Sequence, residues 1–511
     1  MSLGGAANVS EIILAQSIDE RISDAMNPVS SVIEGIVFYS VPVAGVNLPL
    51  IVLWLVGAGA FFTYYLGFMN LRGPKHALEL VRGDYSDPAD AGEVTHFQAL
   101  ATAVSGTVGL GNIAGVAVAI TLGGPGATVW MVIAGFLGMS SKMAECTLGV
   151  KYRHERPDGT VSGGPMYYLE KGIAEVTGRV RTGKFLAIFF SISAIGGAIG
   201  GGNMFQANQA TAQIIAVSGG ADSPLVNLRW IVGLAFAVAV GAVIIGGIKS
   251  IAKVTEKLVP IMAAVYLIAA VVVIGANLPA VPAAFGEIFA SAFGFSSVGG
   301  GLVGALIVGF QRAAFSNEAG IGSAAIAHSA VKTNHPSTEG HVALLEPFID
   351  TVIVCTATAL IIVISGAYLD PAASELGGVA LTSAAFATVI PWFPNVLAVA
   401  VIAFAFSTML TWSYYGMKAT GYLFGDSEVA ETVFKLIFCL FVIVGASLSL
   451  GPVIGISDSM IFLMAIPNVI GLYILARSLK KEIHGYRSDV ASGVITKVGQ
   501  GHPGDEPLAS N

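Results

Sequence analysis

Apolar stretches of about 20 residues, each long enough to cross a ~30 Å hydrocarbon layer as a helix, recur from Asn47 to near Ser478. A soluble fold has too little interior to hide that many. Charged residues make up only 11% of the chain, against roughly 25% in an ordinary soluble domain. The fold class that follows is an all-α polytopic membrane protein. Bounding the apolar runs by charges, Pro and Gly predicts spans over 47–71, 96–122, 126–150, 184–217, 228–247, 254–275, 300–327, 340–367, 393–417, 431–450 and 454–475. That is about 11 transmembrane helices by bilayer length.

Lys and Arg fix an expected orientation. With the first span running inward, the cytoplasmic segments collect basic residues from Arg72 and Lys75 through Lys249, Lys253 and Lys257 to Arg477, Lys480 and Lys481. The opposite side keeps only Arg21 and Arg229. This asymmetry puts the N-terminus outside and the C-terminus in the cytoplasm of a multi-pass cell-membrane protein. The start lacks the basic end and cleavage site of a signal peptide. Residues 1–46 are expected to form a mobile or interfacial extracytoplasmic lead-in, and 480–511 a frayed polar cytoplasmic tail.

Two spans carry glycines and small polar residues in mid-run. The second holds Ser105 to Gly115 (SGTVGLGNIAG) and the seventh Phe315 to Gly322 (FSNEAGIG). Asn112-Ile113-Ala114-Gly115 and Asn317-Glu318-Ala319-Gly320 match at a constant offset, five spans apart. An odd number of crossings turns the second copy upside down, giving a 5+5 inverted repeat over about 96–275 and 300–479 inside a transport domain of 47–479. Glycines in one span could serve close packing alone. Interrupted helices at matching places in two inverted halves point instead to a transporter's binding site. A broken helix frees N–H and C=O groups that lipid cannot satisfy. The restarted half suits a carboxylate, and the freed carbonyls suit a hard cation. Gly109-x-Gly111 is not a dinucleotide fingerprint, since it lies within a span and Ala114 takes the last glycine position.

Other polar residues leave alternatives open. Asn203, Gln206 and Gln209 share a helical face and could bind substrate or bond neighbouring helices. Ser407 and Thr408, one turn before Trp412, could serve a site or bond back to their own helix. Charges at mid-membrane cost roughly 2.5 to 3.5 kcal/mol each, so each needs a partner or a task. Glu318 could clamp the break or handle an ion. Lys142 and Glu145 have the spacing to neutralise each other, while Arg312, Glu346, Asp350 and Asp458 are expected to be structural. Cys146, Cys355 and Cys439 suit apolar packing, and His328, His335 and His341 a solvated cytoplasmic loop. No nucleophile, base and metal-ligand constellation appears, so the chain is not expected to be an enzyme, and no continuous polar lining suggests a channel.

Several segments together resemble the alanine or glycine:cation symporter family of the amino acid/polyamine/organocation superfamily. They are Gly109 to Glu145, Ser162 to Tyr168 (SGGPMYY), Phe315 to Ile326 (FSNEAGIGSAAI) and Leu345 to Asp350 (LEPFID). The resemblance covers about Asn47 to Leu479. It implies a leucine-transporter-like fold and sodium-coupled uptake of alanine or glycine, with sodium as coupling ion and no other cofactor. By the same resemblance, backbone around Leu110 and Gly111 holds the substrate carboxylate. Asn112, Gln206, Phe315, Ser316 and Trp412 line the pocket. The carbonyls of Ser105 and Val108 and the hydroxyls of Ser407 and Thr408 bind sodium. Proton coupling, with Glu318 as carrier, is the alternative. The sequence is silent on oligomeric state.

Overall fold

The computed structural model describes residues 18–43, 46–87, 89–156, 159–294, 301–371 and 377–498. Residues 1–17 and 44–45 of the expected lead-in, Gly300 of the seventh span and 499–511 of the tail lie outside them. Among the described residues eight helices are long and apolar enough to cross a membrane: His96–Gly123, Ala127–Lys151, Val180–Val217, Gly247–Ala276, Pro336–Ser365, Phe393–Phe424, Glu428–Ser447 and Leu450–Ala491. The other three expected spans are shorter as unbroken helices. Leu50–Tyr65 and Arg229–Ile244 have 16 residues each, and Gly301–Asn317 stops at the second break.

Local chemistry sets these boundaries. Thr95 caps the first broken span, accepting from the Gln98 N–H (3.2 Å) while the Gln98 side chain accepts from the Thr95 N–H (3.1 Å). This reciprocal box satisfies two donors that the first helical turn leaves over. Gly124 and Gly425, at φ 72° and 65°, end their helices in the left-handed region that side chains resist. Pro260 and Pro467 sit inside long helices, as membrane helices tolerate when neighbours re-satisfy the backbone.

Burial ranks the helices. The apolar window of His96–Gly123 is wholly buried, whereas the windows of Glu428–Ser447 and Gly247–Ala276 bury 28% and 33%. The first broken span is therefore the axis of the bundle, and the latter two face lipid. Among the described residues three π-helical segments, Tyr168–Gly172, Gly200–Met204 and Phe348–Cys355, interrupt the helices around it. Such bulges unpair backbone groups and gather at functional sites.

The chain ends differ from expectation. Ile18–Val37 is a helix and Ser40–Val43 pairs antiparallel with Val46–Pro49. Ser30 donates to the Pro452 carbonyl (3.3 Å), and Phe38 meets Phe462 edge to face at 5.3 Å. The described lead-in is thus helix packed on the last span. At the other end the final helix runs on to Ala491, where Tyr486 bonds His76 (2.8 Å) and packs against His341. Burial lowers the His76 pKa below its ordinary value. An aromatic among polar neighbours, about three turns past the last apolar run, carries no hydropathy signal, which is why this docking escapes the sequence. Gly378–Ala387, a helix between the eighth and ninth spans, was also not expected; Thr382 donates to the Ile113 carbonyl (2.9 Å) and Val379 N–H to Gln209 (3.0 Å).

Candidate functional site

The two breaks meet at the centre. The first half-helix ends at Thr107, the chain turns through Val108 and Gly109, and a second half-helix starts at Leu110. In the other span Gly301–Asn317 ends, and Glu318, Gly320 and Gly322 take φ of 57°, 87° and 92° before Ala324–His328 begins. A side chain in place of either glycine at the first break would be crowded. A Cβ on Gly111 would lie 3.2 Å from Ser316 Cα, and one on Gly109 2.6 Å from Thr408 Oγ1. No real Cβ tolerates the second approach unless something shifts.

Between the breaks lies a small cavity lined by Gly106, Thr107, Gly111, Gly201, Gln206, Phe315, Glu318, Trp412 and Ile461. Its volume of about 10 Å³ is that of roughly one water. Four of the seven residues expected to line a substrate pocket are here: Gly111, Gln206, Phe315 and Trp412. Among the three amides, the surroundings now differ. Asn203 donates to the Phe438 carbonyl (2.6 Å), and Gln209 is held by Asn208 (2.9 Å) and by the Val379 N–H. Gln206 alone reaches the cavity. Its amide nitrogen donates to the Gly201 carbonyl (3.0 Å) within a π-bulge, and its Oε1 is buried with no partner among the described residues. A buried acceptor left open costs about 1 to 3 kcal/mol.

Asn112 and Ser316 both bond to Asp350. The Asn112 side chain accepts from the Gly109 N–H (2.8 Å) and donates to Asp350 Oδ1 (2.6 Å) and to the Asp350 carbonyl (3.0 Å). Ser316 donates to Asp350 Oδ2 (2.9 Å). Asp350, fully buried on the Phe348–Cys355 π-segment, thereby ties the two breaks together, with Thr351 as a further donor (2.7 Å). Leu110 is fully buried and opens the restarted half-helix.

Beside the first break, Thr408 donates to the Ser105 carbonyl at 2.8 Å, bringing that hydroxyl, Ser105 and the Val108 turn together. Ser407 points along its own helix, donating to the Phe404 carbonyl (3.0 Å) and facing the Met262 sulfur (3.8 Å). At the second break, Glu318 accepts from Trp412 Nε1 (3.0 Å) and from Ser323, so it fixes both the break and the aromatic wall. Over the cavity Arg312 lies 5.2 Å from the Phe315 ring centre and pairs with Asp458.

The other buried charges pair unexpectedly. Lys142 donates to Glu346 (3.1 Å), and Glu145 accepts from Asn468 (2.8 Å), so the Lys142–Glu145 pair expected from their spacing does not form. His328 and His341 are buried, not solvated; only His335 of the three is exposed. His328 bonds Glu339 through Nδ1 and Glu346 through Nε2 (2.6 Å), and Glu339 also holds His96. The chain His96–Glu339–His328–Glu346–Lys142 braces the inner halves of both broken spans. Partners 11 to 243 residues apart cannot be read from helical spacing. Cys146 lies within ligand distance of His328 and Glu346, but both imidazole nitrogens are engaged by carboxylates, so the group belongs to this chain of bonds.

Comparison with known proteins gives the family and the fold. The sequence model described as the sodium:alanine symporter family matches residues 36–499. The sodium/alanine symporter AgcS of Methanococcus maripaludis is 42% identical over 439 residues, which are 86% of this chain and 94% of AgcS. GlnT of Bacillus subtilis, described as a "probable sodium/glutamine symporter", is 32% identical over 446 residues, 87% of this chain and 89% of GlnT. Among solved structures, MhsT in complex with L-phenylalanine aligns over 78% of this chain and 99% of its own, with a TM-score of 0.52 and 17% identity. A manganese transporter of Eremococcus coleocola aligns over 81% of this chain and 89% of its own, with a TM-score of 0.51 and 15% identity. These likenesses are of fold, the leucine-transporter-like arrangement that the family resemblance implies.

Proposed function

The chain belongs to the sodium:alanine symporter family, and from that premise we propose that it carries a small neutral amino acid, alanine or glycine, into the cell together with sodium. Family membership makes it a multi-pass membrane transporter of amino acids and not an enzyme. The observation that carries the finer reading is the crossing of the two breaks at Gly111 and Ser316, beside a cavity walled by glycine, Phe315 and Trp412.

In this reading the N–H groups at Leu110 and Gly111 take the substrate carboxylate, as helix N-termini do. The open Gln206 Oε1 accepts from the ammonium. Phe315 and Trp412 leave space for a methyl group or a hydrogen, which sets the size limit. The Ser105 and Val108 carbonyls and the Thr408 hydroxyl supply sodium ligands, with Ser407 joining by a rotamer change from its bond to Phe404. Asn112 and Ser316 act through Asp350, holding the two breaks at the right separation. Filling the site requires its walls to part, the rocking motion that alternates access in inverted-repeat transporters. The N-terminus lies outside and the basic loops in the cytoplasm.

One sodium per zwitterion moves one charge. A potential of ~100 mV supplies ~2.3 kcal/mol, and a tenfold sodium gradient adds ~1.4 kcal/mol, together a ceiling near ~500-fold accumulation. Uptake of labelled alanine and glycine into liposomes of purified protein tests this, with sodium or proton gradients imposed singly. Sodium-driven, electrogenic alanine uptake is expected. The buried Glu318 carboxylate in the cavity wall favours proton coupling as a second reading; accumulation driven by a proton gradient in sodium-free buffer would establish it and remove the first.

A further inference from the structure

On the lipid-facing side, Gly247–Ala276 and Phe393–Phe424 enclose a groove of about 900 Å³ with Arg229–Ile244 and Ile214. Its walls are apolar, with Phe236, Ile261, Ile402 and Phe406 among them, and two lysines, Lys253 and Lys257, stand at one end. Apolar surface facing a bilayer needs only hydrocarbon beside it. Two ammonium groups there need more.

The lysines are four residues apart, hence on one helix face, and both are exposed. Among the described residues neither has a carboxylate partner. Glu256, the nearest acid in sequence, is turned the other way and accepts from Gln98 Nε2 at 2.8 Å. Lys249, one turn earlier, is exposed as well. A helix of 30 residues measures ~45 Å against a ~30 Å hydrocarbon layer. Its first turns therefore overhang on the basic side of the membrane, which sets Lys253 and Lys257 at headgroup depth, where lysines extend towards phosphate. From there the groove runs up to Ile214 and Val232 near the opposite ends of their helices, a path suited to an acyl chain.

We propose that this groove is a binding site for an anionic phospholipid, with its phosphate between Lys253 and Lys257 and an acyl chain along the Phe236, Ile402 and Phe406 wall. Basic pockets between membrane helices on the cytoplasmic side recognise anionic headgroups by this combination. The bound lipid fills the space between the Gly247–Ala276 and Phe393–Phe424 helices, and the second of these carries Thr408.

The test uses the full chain in detergent micelles, with native mass spectrometry reporting retained lipid. Phosphatidylglycerol, phosphatidylcholine of equal chain length and soluble glycerol phosphate are the probes. Wild type is expected to retain phosphatidylglycerol about thirty-fold better than phosphatidylcholine, given the attraction of two lysines to an anionic surface. The exposed double change Lys253→Gln and Lys257→Gln should reduce that ratio to near one. Ala403→Trp, which fills the groove, should lower retention of both lipids. Equal retention of the two lipids by wild type would overturn the proposal, as would an unchanged preference in the double variant. Displacement by glycerol phosphate would refute the acyl-chain part, and unchanged retention in Ala403→Trp would do the same.

Discussion

The two breaks solve the same problem with different chemistry. The first, at Val108 and Gly109, is held by neutral groups: the Thr408 hydroxyl on the Ser105 carbonyl and the Asn112 amide on the Gly109 N–H. The second, at Glu318 to Gly322, is held by a carboxylate bonded to Trp412 and Ser323, and its inner half leads into His328, Glu339 and Glu346. A break without built-in charge can take a cation and a carboxylate as a mutually neutralising pair. A break already carrying an acid is satisfied by the protein and serves as the wall. Asp350 joins them, bonding Asn112 from one and Ser316 from the other.

The largest expected effect follows from that shared anchor. Asp350→Ala removes the acceptor of three side chains, each bond to a charged group contributing ~1.5 to 3 kcal/mol. It should abolish uptake and lower the melting temperature of the purified protein sharply, with Asp350→Asn intermediate. A melting curve like that of wild type would mean the breaks are held independently. Next comes Gly111→Val, whose side chain meets Ser316 where the breaks cross. Alanine binding should fall by at least ~100-fold, the order of a lost charge-assisted site, with the fold retained; unchanged affinity in a calorimetric titration would move the carboxylate elsewhere.

Removing the sodium-side hydroxyls sharpens the contrast. Thr408→Ala should raise the sodium concentration for half-maximal uptake about tenfold, the scale of one ~1.4 kcal/mol contact. Ser407→Ala alone should do less, because that hydroxyl already bonds its own helix, and the double variant should lose sodium-driven uptake. Sodium dependence like that of wild type in the double variant would make both hydroxyls packing groups. The smallest change is expected from Glu318→Gln, which keeps an acceptor for Trp412. Uptake should drop several-fold with sodium dependence intact, whereas loss of all gradient-driven uptake would mark Glu318 as the ion carrier.

Much of this contrast is legible in the sequence, and the missing parts have one physical cause. Span positions, the paired breaks and the nearness of Ser105 and Thr408 follow from run length, glycine placement and family resemblance. Helical spacing brought Lys142 to Glu145, but Lys142 lies against Glu346, 204 residues away. Asn112 is a pocket residue by resemblance, yet both ends of its amide are used by Gly109 and Asp350. His328 and His341 looked solvated because their segment is short of apolar residues; tertiary packing buried them. What periodicity encodes is which face of a helix is apolar. Which polar groups meet across helices is decided by packing.

The most direct test of the neutral break is the dependence of alanine affinity on sodium in purified protein without a gradient. If cation and carboxylate share the first break, calorimetric titrations should show alanine binding strengthening by about 5- to 150-fold as sodium saturates, the usual span of coupling between two sites. Thr408→Ala should weaken that linkage. An alanine affinity indifferent to sodium in the wild-type protein would contradict the account.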